Sequence, residues 1–249
     1  MSELLGQWKK DEEAAKSGWD PDYLGNRIER EELPWIYLET AQKYLERAEA
    51  VLDMGTGTGS VFAMLGPMPK KAVATEAHLP YIALAKKQLE PLGVKVVDIS
   101  KSEQGKLPFQ DGEFDLILNR HEYFKPREIF RLLASGGWFV TQQVGGNDGA
   151  DLANEFGASP RWPDWDHERA RTMIMEAGLV VRQAHGWRGT VIFKDVGAIV
   201  YWVKAIPWKV KDFSVEKYFG VLETLQKKLS SGKPLSYTEE RFLVVAKKP

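Results

Sequence analysis

Nine residues, Val51-Leu52-Asp53-Met54-Gly55-Thr56-Gly57-Thr58-Gly59, constrain this chain more than any other stretch. An apolar run enters the segment and three alternating glycines leave it. Glycine accepts left-handed backbone and carries no side chain, so the chain turns sharply and a ligand can press against bare backbone. The N–H groups that open a following helix suit a carboxylate or a phosphate. The spacing is G-x-G-x-G. The dinucleotide fingerprint G-x-G-x-x-G uses its last glycine to pack helix against strand, and Ser60 stands at that place here. Asp53 precedes the first glycine by two residues. It would repel a diphosphate and accept a hydrogen bond from an amino group, directly or through water. The loop therefore favours a cofactor with an amino-acid tail over NAD or FAD.

Strands and helices alternate around this loop. Apolar runs predict strands at Ala50–Asp53, Ala72–Thr75, Val94–Val97, Phe114–Leu118 and Trp138–Thr141. A helix over Pro80–Glu90 places Ile82, Ala85 and Leu89 on one face. Another over Arg127–Ala134 is expected to stop at Gly136-Gly137. This alternation is the signature of a parallel sheet covered on both faces. Upstream, Pro34 suits the first turn of a helix carrying Leu38, Ala41, Leu45 and Ala48. Residues 145–165, rich in glycine, proline and tryptophan, read as a long surface loop or a lid. Helices near Asp166–Ala177, from Val196 to Pro207 and from Val215 to Leu229 follow, then a last strand at Arg241–Ala246. His185–Gly189 and Asp195–Ala198 are expected to flank a further strand. Tyr201, Trp202 and Trp208, with Trp162 and Trp165, suggest an aromatic acceptor pocket, although helical spacing makes each singly a core residue.

Taken together, these features resemble class I S-adenosylmethionine-dependent methyltransferases, of the methyltransferase type 11 kind, over roughly residues 48–142. Val51–Gly59 looks like the family's first motif. Glu76 ends the second strand, about 20 residues past the loop, as a βαβ unit requires. Asp98 ends the third. Leu107-Pro108-Phe109 with Phe114-Asp115-Leu116-Ile117, and Leu132–Phe139, match two further segments, with Ser135 where proline is common. The resemblance implies a Rossmann-like α/β fold with a mostly parallel, seven-stranded sheet and helices on both faces. A helical N-terminal extension and a lid or insert after strand five complete it. One domain, 1–249, would comprise that extension (1–47), a cofactor-binding half (48–142) and a substrate-shaping half (143–249). S-adenosylmethionine is the implied cofactor. Asp53, Gly55, Thr56, Gly57 and Gly59 would hold its methionine end, Glu76 with Ala77 its ribose, Asp98 with Ile99 its adenine, and Asn119 would line the pocket.

The fourth strand runs into Asn119-Arg120-His121-Glu122-Tyr123-Phe124, at the edge where open α/β sheets bind ligands. His121 has the chemistry of a general base near neutral pH. Glu122 would orient it or bind substrate, and Gln142 and Gln143 could bond cofactor or substrate. A sulfonium methyl is already activated, so positioning and exclusion of water are the main tasks. The chain has no cysteine, which removes thiol nucleophiles and pyrimidine C5 methylation by enzyme thiol, and its histidines lack metal-ligand spacing. Its net charge is -1, and Asn-Arg-His-Glu stands where amino-group methylases of nucleic acid carry N-P-P-Y. A small-molecule acceptor is the leading expectation, with RNA disfavoured. An RNA methyltransferase and a non-catalytic cofactor-binding protein are the alternatives. The N-terminus lacks a secretory signal and no apolar run reaches membrane-span length, so the expected location is the cytoplasm, away from membranes.

Overall fold

In a computed structural model, residues 2–102 and 106–249 are described. In chain order they form α1 (Ser2–Ala14), α2 (Pro21–Leu24), β1 (Ile28–Arg30), α3 (Tyr37–Leu45), β2 (Ala50–Met54), α4 (Ser60–Ala63), β3 (Lys71–Glu76), α5 (Leu79–Leu89) and β4 (Val94–Asp98). Then follow β5 (Phe114–Arg120), α6 (Pro126–Leu132), β6 (Leu133–Val144), α7 (Ala150–Glu155), α8 (His167–Glu176), β7 (Val180–Phe193), α9 (Val196–Ala205), α10 (Phe219–Ser230) and β8 (Leu235–Lys247). The strands join in the order β1-β7-β8-β6-β5-β2-β3-β4. Seven were expected. The eighth is β1, which pairs antiparallel with β7 from Ile28↔Phe193 to Arg30↔Val191. Three residues are too short for an alternation to show in sequence.

The chain divides into two compact units. One comprises residues 33–144, 166–187 and 241–249. Its strands β6-β5-β2-β3-β4 are all parallel, and residues 241–247 of β8 run antiparallel to β6. Val51, Leu52, Leu116, Ile117 and Leu118 are fully buried, as parallel strands covered on both faces require. Helix α5 buries Ile82, Ala85 and Leu89, as its spacing predicts. Helix α3 buries Tyr37, Ala41 and Leu45, a four-residue repeat on one face. It begins at Tyr37, after an extended Ile36, so Pro34 precedes the helix instead of opening it. Gly136-Gly137 do not stop α6 either. That helix ends when Leu133 turns extended (ψ 134°), and both glycines lie inside β6. Gly137 is there because a Cβ would come within 3.1 Å of the Asp115 carbonyl, beside the register shift between Phe114 and Leu116.

The other unit comprises residues 1–32, 145–165 and 188–240. Its core is α9, buried from Val196 to Val203, with Trp8, Leu24, Leu152, Phe156, Phe213, Val215, Leu222 and Leu225 around it. Residues 145–165 are therefore not a plain loop. They contain α7, and Phe156 packs edge-on against Phe213 and Tyr218. Tyr201 and Trp202 are core residues, and Tyr201 Oη accepts the Asp20 N–H at 2.7 Å. They build no acceptor pocket with Trp162 and Trp208, which are exposed. Helix α10 starts at Phe219, leaving Val215 buried ahead of it, and His185–Gly189 lie within β7. Asp11 is fully buried and accepts from Arg27 Nη1 at 2.8 Å and Tyr23 Oη at 2.7 Å, while Arg27 Nη2 reaches Asp195 Oδ1 at 2.6 Å. Among the described residues no helix is long and apolar enough to cross a membrane.

Candidate active site

Strand β2 lies between β3 and β5, and the chain moves outward from it in both directions, through β3-β4 and through β5-β6. This is the switch in strand order at which open α/β sheets leave a crevice beyond their carboxyl ends. The register gathers those ends. Met54 pairs with Thr75 and Asn119, Glu76 with Asp98, Asn119 with Thr141, and Arg120 with Gln142. The sequence-predicted residues of the glycine loop, Glu76, Asp98 and Asn119–Glu122 thus come to one edge.

All three loop glycines are left-handed, with φ of 67°, 62° and 84° at Gly55, Gly57 and Gly59. Each has a different use for the missing side chain. At Gly59 a Cβ would meet Leu89 Cγ at 2.8 Å, so this glycine lets α5 approach. At Gly57 nothing lies within 4 Å, which leaves open space over the backbone. At Gly55 the space is taken by Glu122, whose Cγ would stand 2.3 Å from a Cβ. The helix that follows, α4, has only four residues, so its dipole adds little and individual N–H groups carry the loop's polarity.

Glu76 organises those groups. Its carboxylate accepts the Gly57 N–H at Oε2 (2.7 Å) and the Ala77 and His78 N–H groups at Oε1 (2.8 and 2.7 Å). The loop is tied to β3 again by Thr56 N–H to Thr75 O at 2.9 Å, and Ile99 N–H donates to Glu76 O at 3.0 Å. Asp98 is exposed and accepts the Ser100 N–H at 2.8 Å; the Ser100 hydroxyl first, and then this N–H, hold its pKa below the usual carboxylate value.

Asp53 is 8% exposed, and burial pushes its carboxyl up to about 6. The nearby Thr56 hydroxyl and Arg120 guanidinium pull the value down, and the Glu76 charge adds to the rise. Tyr37, from α3, faces the same group. Burial raises its phenol well above the ordinary value, and the Asp53 charge raises it further. Tyr37 Oη and Thr56 Oγ1 are two of the three buried hydroxyls that, among the described residues, have no hydrogen-bond partner. Glu122 also has a raised pKa, first from crowding around its carboxyl and then from Glu76, although the residue reaches solvent. Three carboxylates and two orphaned hydroxyls around bare loop backbone suit a cationic ligand with an amino-acid tail. S-adenosylmethionine, with its ammonium and sulfonium, fits that donor and acceptor set.

Two expectations change on this geometry. Asn119 is fully buried within the sheet edge, accepting from Thr141 Oγ1 at 2.9 Å and Gln143 Nε2 at 2.5 Å. Gln143 Nε2 also donates to Glu122 O at 3.0 Å, so this network sets the backbone before the site. Glu122 turns toward Gly55, with Oε1 accepting the Tyr123 N–H at 2.9 Å, and it is Gln142 that holds the His121 ring, at 3.1 Å. Gln142 in turn accepts from Trp35 Nε1 at 2.8 Å. Trp35 and Tyr37 escaped the sequence reading because Pro34-Trp35-Ile36-Tyr37 carries no motif and reads only as the approach to a helix.

Comparison with known proteins agrees with the geometry. The methyltransferase-domain family profile matches residues 52–141. A release factor glutamine methyltransferase of Bordetella pertussis is 32% identical over 205 residues, covering 75% of this chain and 70% of its own length. A protein-L-isoaspartate O-methyltransferase of Koribacter versatilis is 32% identical over 121 residues, 48% of this chain, and the chain spans about half of that relative (54%). Among solved structures, the Bacillus halodurans protein BH2331 has the same fold at a TM-score of 0.61 and 20% identity, covering 86% of this chain and 97% of its own. The chain belongs to the class I S-adenosylmethionine-dependent methyltransferases, and S-adenosylmethionine is its cofactor.

Proposed function

We propose that this enzyme methylates a small-molecule acceptor at the carboxyl end of β5. The observation that carries the reading is the clustering of Asp53, Glu76 and Glu122 about the glycine loop in a chain of net charge -1. A polyanion such as RNA meets repulsion there, whereas a neutral or cationic small molecule does not.

The cofactor supplies a methyl group activated by its sulfonium. Asp53, Thr56 and Tyr37 offer partners to its ammonium and carboxylate, and the open face of Gly57 lets the tail lie on the backbone, with Gly55 and Gly59 shaping the turn. A carboxylate has about four acceptor sites, and Glu76 has three in use. It would therefore have room for one ribose hydroxyl as it stands, and a second would require releasing one of these three N–H groups. Ala77 fixes that carboxylate, Asp98 and Ile99 border the base, and Asn119 holds the floor. His121 and Glu122 face the acceptor. Glu122 would accept a proton if the methylated atom must lose one.

The test is methyl-labelled S-adenosylmethionine incubated with the enzyme and, separately, with metabolite extract, RNA and protein. Label is expected in the low-molecular-weight fraction. Label in RNA or protein overturns the acceptor assignment. Gly57→Arg, which fills the open space, is expected to abolish cofactor binding by titration calorimetry.

A further inference from the structure

The surroundings of His121 fix the placement of its proton. An indole N–H only donates, so the Gln142 atom facing Trp35 Nε1 at 2.8 Å is the carbonyl oxygen, Oε1. The amide nitrogen of Gln142 is then left for His121, 3.1 Å from Nε2. An amide nitrogen only donates, so Nε2 must be the ring's unprotonated acceptor. The neutral imidazole then carries its proton on Nδ1.

His121 is exposed, but the residue that holds its ring is buried. Gln142 is 2% exposed, and its backbone carbonyl accepts the His121 N–H at 2.8 Å. Main chain and ring of His121 are thus both held by one residue of β6. His121 also adopts a left-handed backbone, φ 60°, rare outside glycine and tolerated by histidine.

We propose that Trp35 and Gln142 are positioning residues that lock His121 in its Nδ1–H tautomer, with Nε2 engaged by the Gln142 amide and so withheld from service as a base toward the methyl acceptor. Taking a proton at Nε2 would set two donors against each other across the Gln142 contact. The acceptor-facing half of this inference rests on the placement of the acceptor beyond β5; the tautomer does not.

Nitrogen-15 chemical shifts of the imidazole nitrogens test the tautomer in the cofactor-free protein at about pH 8, above the ordinary histidine range. His121 is assigned among the four histidines by the signals missing from His121→Asn. The expected result is a protonated Nδ1 and an unprotonated Nε2. Gln142→Glu, which offers only acceptors, is expected to invert the pattern, and Trp35→Phe, which frees the amide to turn, to leave a mixture. A protonated Nε2 or an even mixture in the parent overturns the proposal even if neither variant folds. With an acceptor in hand, a loss of about 100-fold or more in His121→Asn would mark His121 as the base and refute the proposal. If the tautomer is as stated and no small molecule is methylated, the acceptor assignment fails alone.

Discussion

Asp53→Asn is expected to make the ligand-free protein more stable while weakening its hold on the cofactor. The carboxyl rises from an ordinary 3.8 to about 6 because burial outweighs the help of Thr56 and Arg120. Each pKa unit corresponds to about 1.4 kcal/mol, so the ionised group costs the folded state about 3 kcal/mol. The sign follows from linkage. A carboxyl raised in the folded state contributes stability that is complete below 3.8 and is lost as pH climbs through about 6. Urea denaturation of parent and variant, compared at several pH values, isolates this group because other titrations cancel. At about pH 7.5 the variant should be more stable by about 3 kcal/mol, and near pH 4 the difference should vanish. Titration calorimetry should show the variant binding S-adenosylmethionine roughly ten- to a hundredfold more weakly, the worth of a lost charge-assisted hydrogen bond. A variant no more stable than the parent, or a difference that ignores pH, would refute the burial argument.

Glu76→Gln keeps the shape but turns an NH2 toward either Gly57 or the Ala77 and His78 amides, and should cost about 1–3 kcal/mol in denaturant titrations as well as cofactor affinity. Gly59→Ala drives a methyl into Leu89 and should cost about 1–3 kcal/mol beyond the backbone strain it shares with Gly57→Ala, where nothing is in the way; equal losses in the two variants would count against that packing. Arg27→Met strands the fully buried Asp11 carboxylate and should destabilise the protein by about 3–5 kcal/mol, measured by the same denaturation.

The central sheet was legible because its strands obey short-range rules. Continuous apolar runs at Val51-Leu52 and Leu116–Leu118 announce parallel strands, and Ile82, Ala85 and Leu89 announce the helix that covers them. The glycine loop and Glu76 were legible for the same reason, since turn geometry and a strand-end carboxylate are local. What escaped depends on distant pairing. Strand β1 exists only because β7 offers it an edge. Trp35 and Tyr37 gain their roles by folding back on Gln142 and Asp53. Gly136-Gly137 mislead because a glycine pair reads as a helix stop wherever it stands, and only the approach of Asp115 shows that it belongs to a strand. The segment 145–165 resembles a loop in composition, yet Leu152 and Phe156 are enough to seat one short helix in a core.

Residues 241–249 belong to the unit that carries the glycine loop, and residues 241–247 pair with β6 from Arg241↔Val144 to Lys247↔Trp138. During synthesis, β6 can therefore gain this neighbour only after residues 241–247 have emerged from the ribosome. Until then β6 presents unpaired amides and carbonyls, an invitation to join another chain. Deleting residues 241–247 should accordingly give insoluble protein, not merely inactive protein.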